Sequence, residues 1–234
     1  MNEKIVGILG GMGPEATWDL FGRIIKRTPV KKDADHLRVI IDSNPKIPDR
    51  TAAILSNGPS PVNAMIQTGL NLENSGADFL VMPCMTAHYF YEAVQTRLKI
   101  PIINAFELMK KHIEQHFSNQ VKVLVVATSG SIQSGLYQKY LPPDHLVFPG
   151  ESIQEEEVMD LIYGPRGIKA GYTDEKNLDQ LYRLMQRYQQ SGVSSVIAGC
   201  TEIGLLLKDQ PTPLPVIDPL DLLADETLRL AKEL

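Results

Sequence analysis

The chain has 234 residues, 43% of them hydrophobic and 22% charged, with a formal net charge of −5 and two cysteines. That is an ordinary globular composition, long enough for one large domain or two of roughly 100–120 residues each. It excludes a nucleic-acid or anionic-membrane partner recognised through basic runs, a membrane span of roughly 18 apolar residues, and a disulfide framework.

From the N-terminus, the apolar run at residues 5–9 is too short for a signal-peptide core, which predicts a cytoplasmic protein. Residues 5–9 read as a buried strand and 16–27 as a helix. Residues 37–41 follow as a strand, 61–75 as a helix, 79–82 as a strand, 89–98 as a helix, 100–104 as a strand and 105–117 as a helix. Strands are predicted at 121–127, 193–198 and 215–218, and helices at 178–191 and 219–234. Alternating helices and near-continuously apolar strands predict parallel sheets covered on both faces.

The pattern also repeats. Ser75-Gly76, an apolar strand and Pro83-Cys84 recur as Ser191-Gly192, an apolar strand and Gly199-Cys200. Lys4-Ile5-Val6 recurs as Lys122-Val123-Leu124, and the segment 100–103 recurs as 214–217. Agreement in order and spacing points to two related halves. The predicted fold is therefore α/β: two pseudo-symmetric three-layer α/β/α domains, each with a mainly parallel four-stranded sheet. The first takes residues 1–104 plus 219–234 and carries Cys84; the second takes 105–218 and carries Cys200. Ligands of open α/β sheets bind outside the carboxyl ends of strands, so facing halves would direct both thiols at one cleft.

Several motifs sit at such ends. Gly10-Gly11-Met12-Gly13-Pro14 follows the first strand, and Gly11, Gly13 and Ala16 fit G-x-G-x-x-A. The acidic partner of a dinucleotide site is misplaced, since Asp42 comes late, so a loop offering backbone N–H groups to a substrate carboxylate is favoured. Arg50 offers a planar fork for a carboxylate; its plainer role is a solvated residue after an Asp49 N-cap. Cys84 and Cys200 each end a strand and open a predicted helix, a setting that favours thiolate. A lone cysteine there is usually a small core residue, but two at equivalent places of a repeat point to function. Cys84 opens no phosphatase loop, because Phe90 stands where arginine would be. No metal is expected: Cys84 and His88 form one pair only, and His112 and His116 lack the glutamate at 113 that a zinc-protease helix needs. Lys169, between Gly167 and Gly171, suggests a loop able to close over a cleft, or simply an exposed linker.

Six segments together resemble the aspartate/glutamate racemase family over nearly the whole chain. They are Gly-Ile-Leu-Gly-Gly-Met-Gly-Pro at 7–14, Ile-Pro-Asp-Arg-Thr at 47–51, Met-Pro-Cys-Met-Thr-Ala-His at 82–88, Ala-Thr-Ser-Gly-Ser at 127–131, Gly-Ile-Lys-Ala-Gly at 167–171 and Gly-Cys-Thr-Glu at 199–202. The resemblance implies a two-domain protein, a homodimer, acting on a small carboxylate or amino acid without pyridoxal phosphate, metal or nucleotide. It implies that Cys84 and Cys200 are the catalytic acid and base, and that Arg50 and Lys169 bind substrate carboxylates. It places Met12, Thr51, Thr86 and Thr201 along the pocket, with Met85, Thr128 and Glu202 among the substrate-binding residues. Met85 departs from the family, which has asparagine there; methionine lacks a strong donor or acceptor and is flexible.

The expected function is amino-acid racemisation of the aspartate/glutamate type, with one thiol removing the Cα proton and the other delivering one to the opposite face. Alternatives are a broad-specificity amino-acid racemase, a hydantoin racemase, maleate isomerase or decarboxylase that reuses these thiols, in some cases as a nucleophile, a ligand-binding protein without catalysis, and a nucleotide-dependent oxidoreductase.

Overall fold

The structure, a computed structural model, describes residues 3–117 and 121–232. The chain divides into two compact units, Met1–Ala105 with Leu220–Leu234, and Phe106–Pro219.

In the first unit β1 (Val6–Gly10) leads to α1 (Pro14–Arg27), and β2 (Val39–Ser43) to α2 (Arg50–Leu55) and α3 (Val62–Asn74). Then come β3 (Phe79–Val81), α4 (Tyr91–Gln95) and β4 (Ile102–Ile103). The strand order is β2-β1-β3-β4. All pairs are parallel, with Val6 beside Val39 and Phe79, and Leu80 beside Ile102. Every residue of β1 is buried, as a central strand covered on both faces requires. Pro14 opens α1 where no amide hydrogen is needed, and Ala16, Leu20 and Ile24 form its buried stripe at four-residue spacing.

The second unit begins with α5 (Ala105–His116), followed by β5 (Val123–Val126), α6 (Ser129–Gln133), α7 (Leu136–Tyr140) and β6 (Leu146–Val147). A continuous helical stretch follows, made of α8 (Glu151–Ile153), a π-helical turn (Gln154–Met159) and α9 (Asp160–Tyr163). Then come α10 (Glu175–Gln190), β7 (Ser195–Ala198), α11 (Thr201–Leu207) and β8 (Val216–Ile217). Its strand order, β6-β5-β7-β8, is again parallel throughout and repeats that of the first sheet. Leu124, Val126, Leu161, Leu181, Met185 and Val196 pack in one core, each contributing roughly 1.5–3 kcal/mol against exposure.

The last helix, α12 (Pro219–Lys232), belongs to the first unit. Arg23 of α1, with its side chain buried, holds Asp19 of its own helix at 2.8 Å and Asp221 of α12 at 2.7 Å. Arg27 reaches Asp225 at 2.6 Å. A buried guanidinium needs such partners, so these ions fix where α12 docks on α1.

Several sequence expectations change. The helix expected at 89–98 opens as a 3-10 turn, Thr86–Phe90, and is α-helical only over Tyr91–Gln95. α10 starts earlier than residue 178, because the Asp174 side chain caps Asn177 N–H. Strand β6 and helices α6 and α7 were not expected. Residues 233 and 234 of the predicted last helix lie outside the described residues. No helix among the described residues is long and apolar enough to cross a membrane.

Candidate active site

In the first unit the glycine loop after β1 meets the loop after β2. Gly11 has φ +91, and an added Cβ would fall closer than 3.0 Å to the backbone of Asn44. Glycine is therefore required by the approach of the two loops. Gly11 N–H donates to Thr17 Oγ1 at 2.8 Å, and Asn44 N–H to Gly10 O at 3.3 Å. The N–H of Gly11 is thus occupied by α1 rather than presented to a ligand.

Met12 is buried, and its carbonyl accepts from Arg50 Nη2 at 3.5 Å. Arg50 Nη1 also donates to Ile47 O at 3.3 Å and Pro48 O at 3.0 Å. Asp49 caps α2 by accepting from Ala52 N–H at 2.7 Å, as the sequence suggested, but Arg50 is buried rather than solvated. Three carbonyls orient its guanidinium. Beside it, Thr51 Oγ1 is a buried hydroxyl with no partner among the described residues. Such a group in the first turn of α2 is what a ligand oxygen would satisfy.

Cys84 follows β3 and is 6% exposed; Met85 and Thr86 are buried beside it. The sequence expected a helix to open at Cys84. A five-residue 3-10 turn stands there instead, because His88 folds back onto the loop. His88 Nε2 accepts from Ala105 N–H at 3.2 Å, and Nδ1 lies 3.1 Å from Cys84 O. A ring accepting at Nε2 carries its proton on Nδ1 and donates it to Cys84 O. The site motif contained His88, but sequence reasoning gave it no structural role. Its signal was the fixed spacing of four from Cys84.

Burial pushes the His88 imidazole down to about 4, against partly offsetting backbone hydrogen bonds. Above pH 6.5 neither folded nor unfolded chain binds this proton. As pH falls from 6.5 towards 4, only the unfolded chain does, so stability is lost across that window, by about 3 kcal/mol in full. Urea midpoints at pH 7 and 5 should show about 2 kcal/mol of loss that His88→Gln does not show. Equal losses in both proteins would exclude this assignment.

In the second unit Thr128 follows β5 and caps α6, accepting from Ser131 N–H at 3.3 Å, with its hydroxyl 3.0 Å from Ser131 Oγ. Next to it, Ser129 Oγ donates to Glu155 Oε1 at 2.6 Å, and Gln154 Nε2 donates to Ala127 O at 2.9 Å. These π-turn residues were missed, since an isolated acidic run gives no hint that one turn widens towards a strand end.

Cys200 is the N-cap of α11 and is 6% exposed. The residue before it is fixed by Tyr137, whose hydroxyl donates to Gly199 O at 2.9 Å. Cys200 Sγ donates to Glu202 Oε2 at 2.8 Å, and Thr201 Oγ1 donates to the same oxygen at 3.0 Å. Glu202 Oε1 pairs with Lys169 Nζ. Burial alone would raise the Glu202 carboxyl; the Lys169 charge and the Cys200 and Lys169 hydrogen bonds outweigh it and hold the carboxyl below its usual range.

Lys169 lies in a 3-10 turn, Ile168–Ala170, and its Nζ also stands 5.4 Å from the Tyr163 ring centroid. The sequence suggested a loop free to close. Instead Ile168 is fully buried in the core, and Asn177 Nδ2 clamps the segment by donating to Arg166 O and Tyr172 O at 2.9 and 2.8 Å. His112 and His116 stack at 4.4 Å on an outer helix face. Among the described residues no group of three or more His, Cys, Asp or Glu could hold a metal ion.

The structure thus groups Met12, Arg50 and Thr51 in one unit, with Cys84, Met85 and Thr86 on a neighbouring strand end. It groups Lys169, Cys200, Thr201 and Glu202 in the other, with Thr128 on a neighbouring strand end. Each sheet carries its cysteine after the same strand of the same order, β3 in one and β7 in the other.

Two like parallel sheets, each ending in a thiol, define a two-domain α/β architecture shared with racemases. The sequence pattern of the Asp/Glu/Hydantoin racemase family matches residues 9–227, and the chain belongs to that family. Its class of activity is isomerisation. The chain is 27% identical over 230 residues to the broad-specificity amino-acid racemase RacX of Bacillus subtilis (strain 168), covering 96% of each. Among solved structures it superposes on the aspartate racemase of Picrophilus torridus with a TM-score of 0.84 at 27% identity, covering 98% of this chain and 94% of that one. An aspartate racemase homologue from Pyrococcus horikoshii OT3, at 24% identity and TM-score 0.75 over 98% of this chain and 99% of the other, shares the fold.

Proposed function

We propose that the chain is a cofactor-independent amino-acid racemase in which Cys84 and Cys200 are the two proton-transfer groups. The observation carrying this is the equivalence of the thiols: both buried, both after the same strand of like sheets. Inverting Cα needs one group to take a proton from one face and a second to supply one to the other. Thiols titrate close enough to working pH for both forms to be reached. The proton removed is weakly acidic, so the carbanion must be stabilised by donors set in advance. Arg50, oriented by three carbonyls, is suited to the substrate α-carboxylate, with Thr51 Oγ1 as a further contact. Met12, Met85, Thr86, Thr128 and Thr201 belong with the pocket in this proposal, and the resemblance adds a cytoplasmic homodimer.

The amino acid is of the aspartate/glutamate type, in line with the six motifs and the likeness to the Picrophilus enzyme. Met85 and the likeness to RacX favour a second possibility, a wider substrate range. A buried thioether supplies no strong donor for a distal carboxylate, and so discriminates less against neutral side chains.

The deciding experiment is α-proton exchange in D₂O, followed by NMR, over a panel of L- and D-amino acids. Exchange with inversion confined to aspartate and glutamate supports the first assignment; inversion of neutral amino acids supports the second. No exchange with any member would refute the function.

A further inference from the structure

The two cysteines occupy equivalent places, but their surroundings differ by one carboxylate. Cys84 is followed by Met85 and Thr86, whereas Cys200 is followed by Thr201 and Glu202. Glu202 is 6% exposed, takes the Cys200 thiol at 2.8 Å on one oxygen and meets Lys169 with the other. A thiol that donates to an ionised carboxylate must keep its proton. Its thiolate would put two negative charges in contact where little water screens them.

We infer that Glu202 is a positioning residue that stores the proton on Cys200, so that of the two singly ionised forms of the thiol pair the one with Cys200 as acid and Cys84 as base is favoured. The inference rests on the two-thiol function proposed above. The Cα–H bond breaks and its proton goes to the Cys84 thiolate, leaving the electron pair on a carboxylate-stabilised carbanion. The Cys200 S–H bond breaks and its proton goes to the opposite face of Cα, leaving Cys200 as thiolate. Glu202 gains and loses no proton; it loses a donor while Lys169 remains its counterion. The enantiomer whose Cα–H faces Cys84 therefore meets the favoured of the two ionised forms, and the other enantiomer must wait for the disfavoured one.

The charged groups around α11 agree with this arrangement. Lys169, from the turn packed against the helix, is the cation at Glu202, with the Tyr163 ring next to its Nζ. Asp218 lies against Gly204, one turn along the same helix from Cys200, so the carboxylates packed on this helix are Glu202 and Asp218.

The test is a thiol titration. In a Cys84→Ser background Cys200 is the sole cysteine, so absorbance near 240 nm and the pH dependence of iodoacetamide alkylation report its thiolate alone. Glu202→Gln removes the negative charge and keeps the shape. It should lower the titration midpoint by about one unit or more, and speed alkylation at pH 7.5 about tenfold. Lys169→Met removes the cation, leaves Glu202 in place and should move the midpoint the other way. A merely structural role would move both variants alike. If Glu202→Gln does not fold, Glu202→Asp keeps the charge, and its midpoint should stay within about half a unit while Lys169→Met still raises it. An unmoved or raised midpoint in Glu202→Gln, or shifts of the same sign in both variants, overturns the inference. The titration needs no turnover, so the two ideas fail separately. Shifts of opposite sign in a protein that racemises nothing would sink the proposed function and leave the Glu202–Cys200 coupling standing. Racemisation without the shifts would do the reverse.

Discussion

Replacing either Cys84 or Cys200 by alanine should lower racemisation by at least about a thousandfold, a loss of about 4 kcal/mol in transition-state stabilisation. In the proposed mechanism each variant removes the group that serves one face of Cα. Alanine fills most of the same small buried volume, so folding should survive; both side chains are 6% exposed. The sharper result is partial activity. In Cys84→Ala the minor thiolate form of Cys200, which Glu202 opposes, can still take the α-proton of one enantiomer, slowly, and return a deuteron to the same face. In Cys200→Ala the remaining Cys84 should do so for the opposite enantiomer. NMR of L- and D-substrate in D₂O should therefore show exchange without inversion, on opposite enantiomers in the two variants. A single-base mechanism, or a nucleophilic role for Cys84, would not give that mirrored pattern. Racemisation within tenfold of the parent in both variants would end the two-thiol mechanism.

Gly11→Ala should be the most damaging single methyl group in the first unit. At φ +91 a non-glycine residue is strained by roughly 1–3 kcal/mol. Its Cβ would also strike Asn44 N, C and O, which are backbone atoms with no rotamer to escape through. The loops after β1 and β2 must then part, breaking the Asn44 N–H to Gly10 O bond and moving Met12 O away from Arg50. We expect a loss of about 4 kcal/mol or more, and a melting temperature lower by about 15 °C. Circular dichroism melts would show it, with Gly76→Ala as a comparison. Gly76 also has positive φ, but an added Cβ there meets nothing within 4 Å, so only the strain should register. Equal effects in the two variants would mean that the close approach at Asn44 contributes nothing.

Much of this molecule is legible in its sequence. The near-continuous apolar runs fixed seven of the eight strands, because a strand buried on both faces has no room for polar residues. The one missed, Leu146–Val147, is a two-residue, half-buried strand following Pro142 and Pro143, too short to leave a pattern. The internal repeat located both cysteines at equivalent strand ends, and the six motifs named the family. The Asp49 cap was legible because its signal is local, an acceptor placed for the amides of the next turn.

What needed the tertiary structure was everything that depends on a distant partner. Arg50 reads as solvated from its neighbours, yet Met12 of another loop helps bury it. His88 reads as an unassigned member of a motif, yet Ala105, seventeen residues on, makes it a neutral clamp on Cys84. Lys169 reads as a flexible lid, yet Ile168 and Asn177 fasten its turn. By itself the sequence determined the sheets and the family and singled out the two cysteines at equivalent strand ends, because hydrophobic periodicity and local motifs are written along the chain. Only the tertiary structure decided that one thiol stands against a buried carboxylate, because Glu202 owes its charge to Lys169, thirty-three residues away.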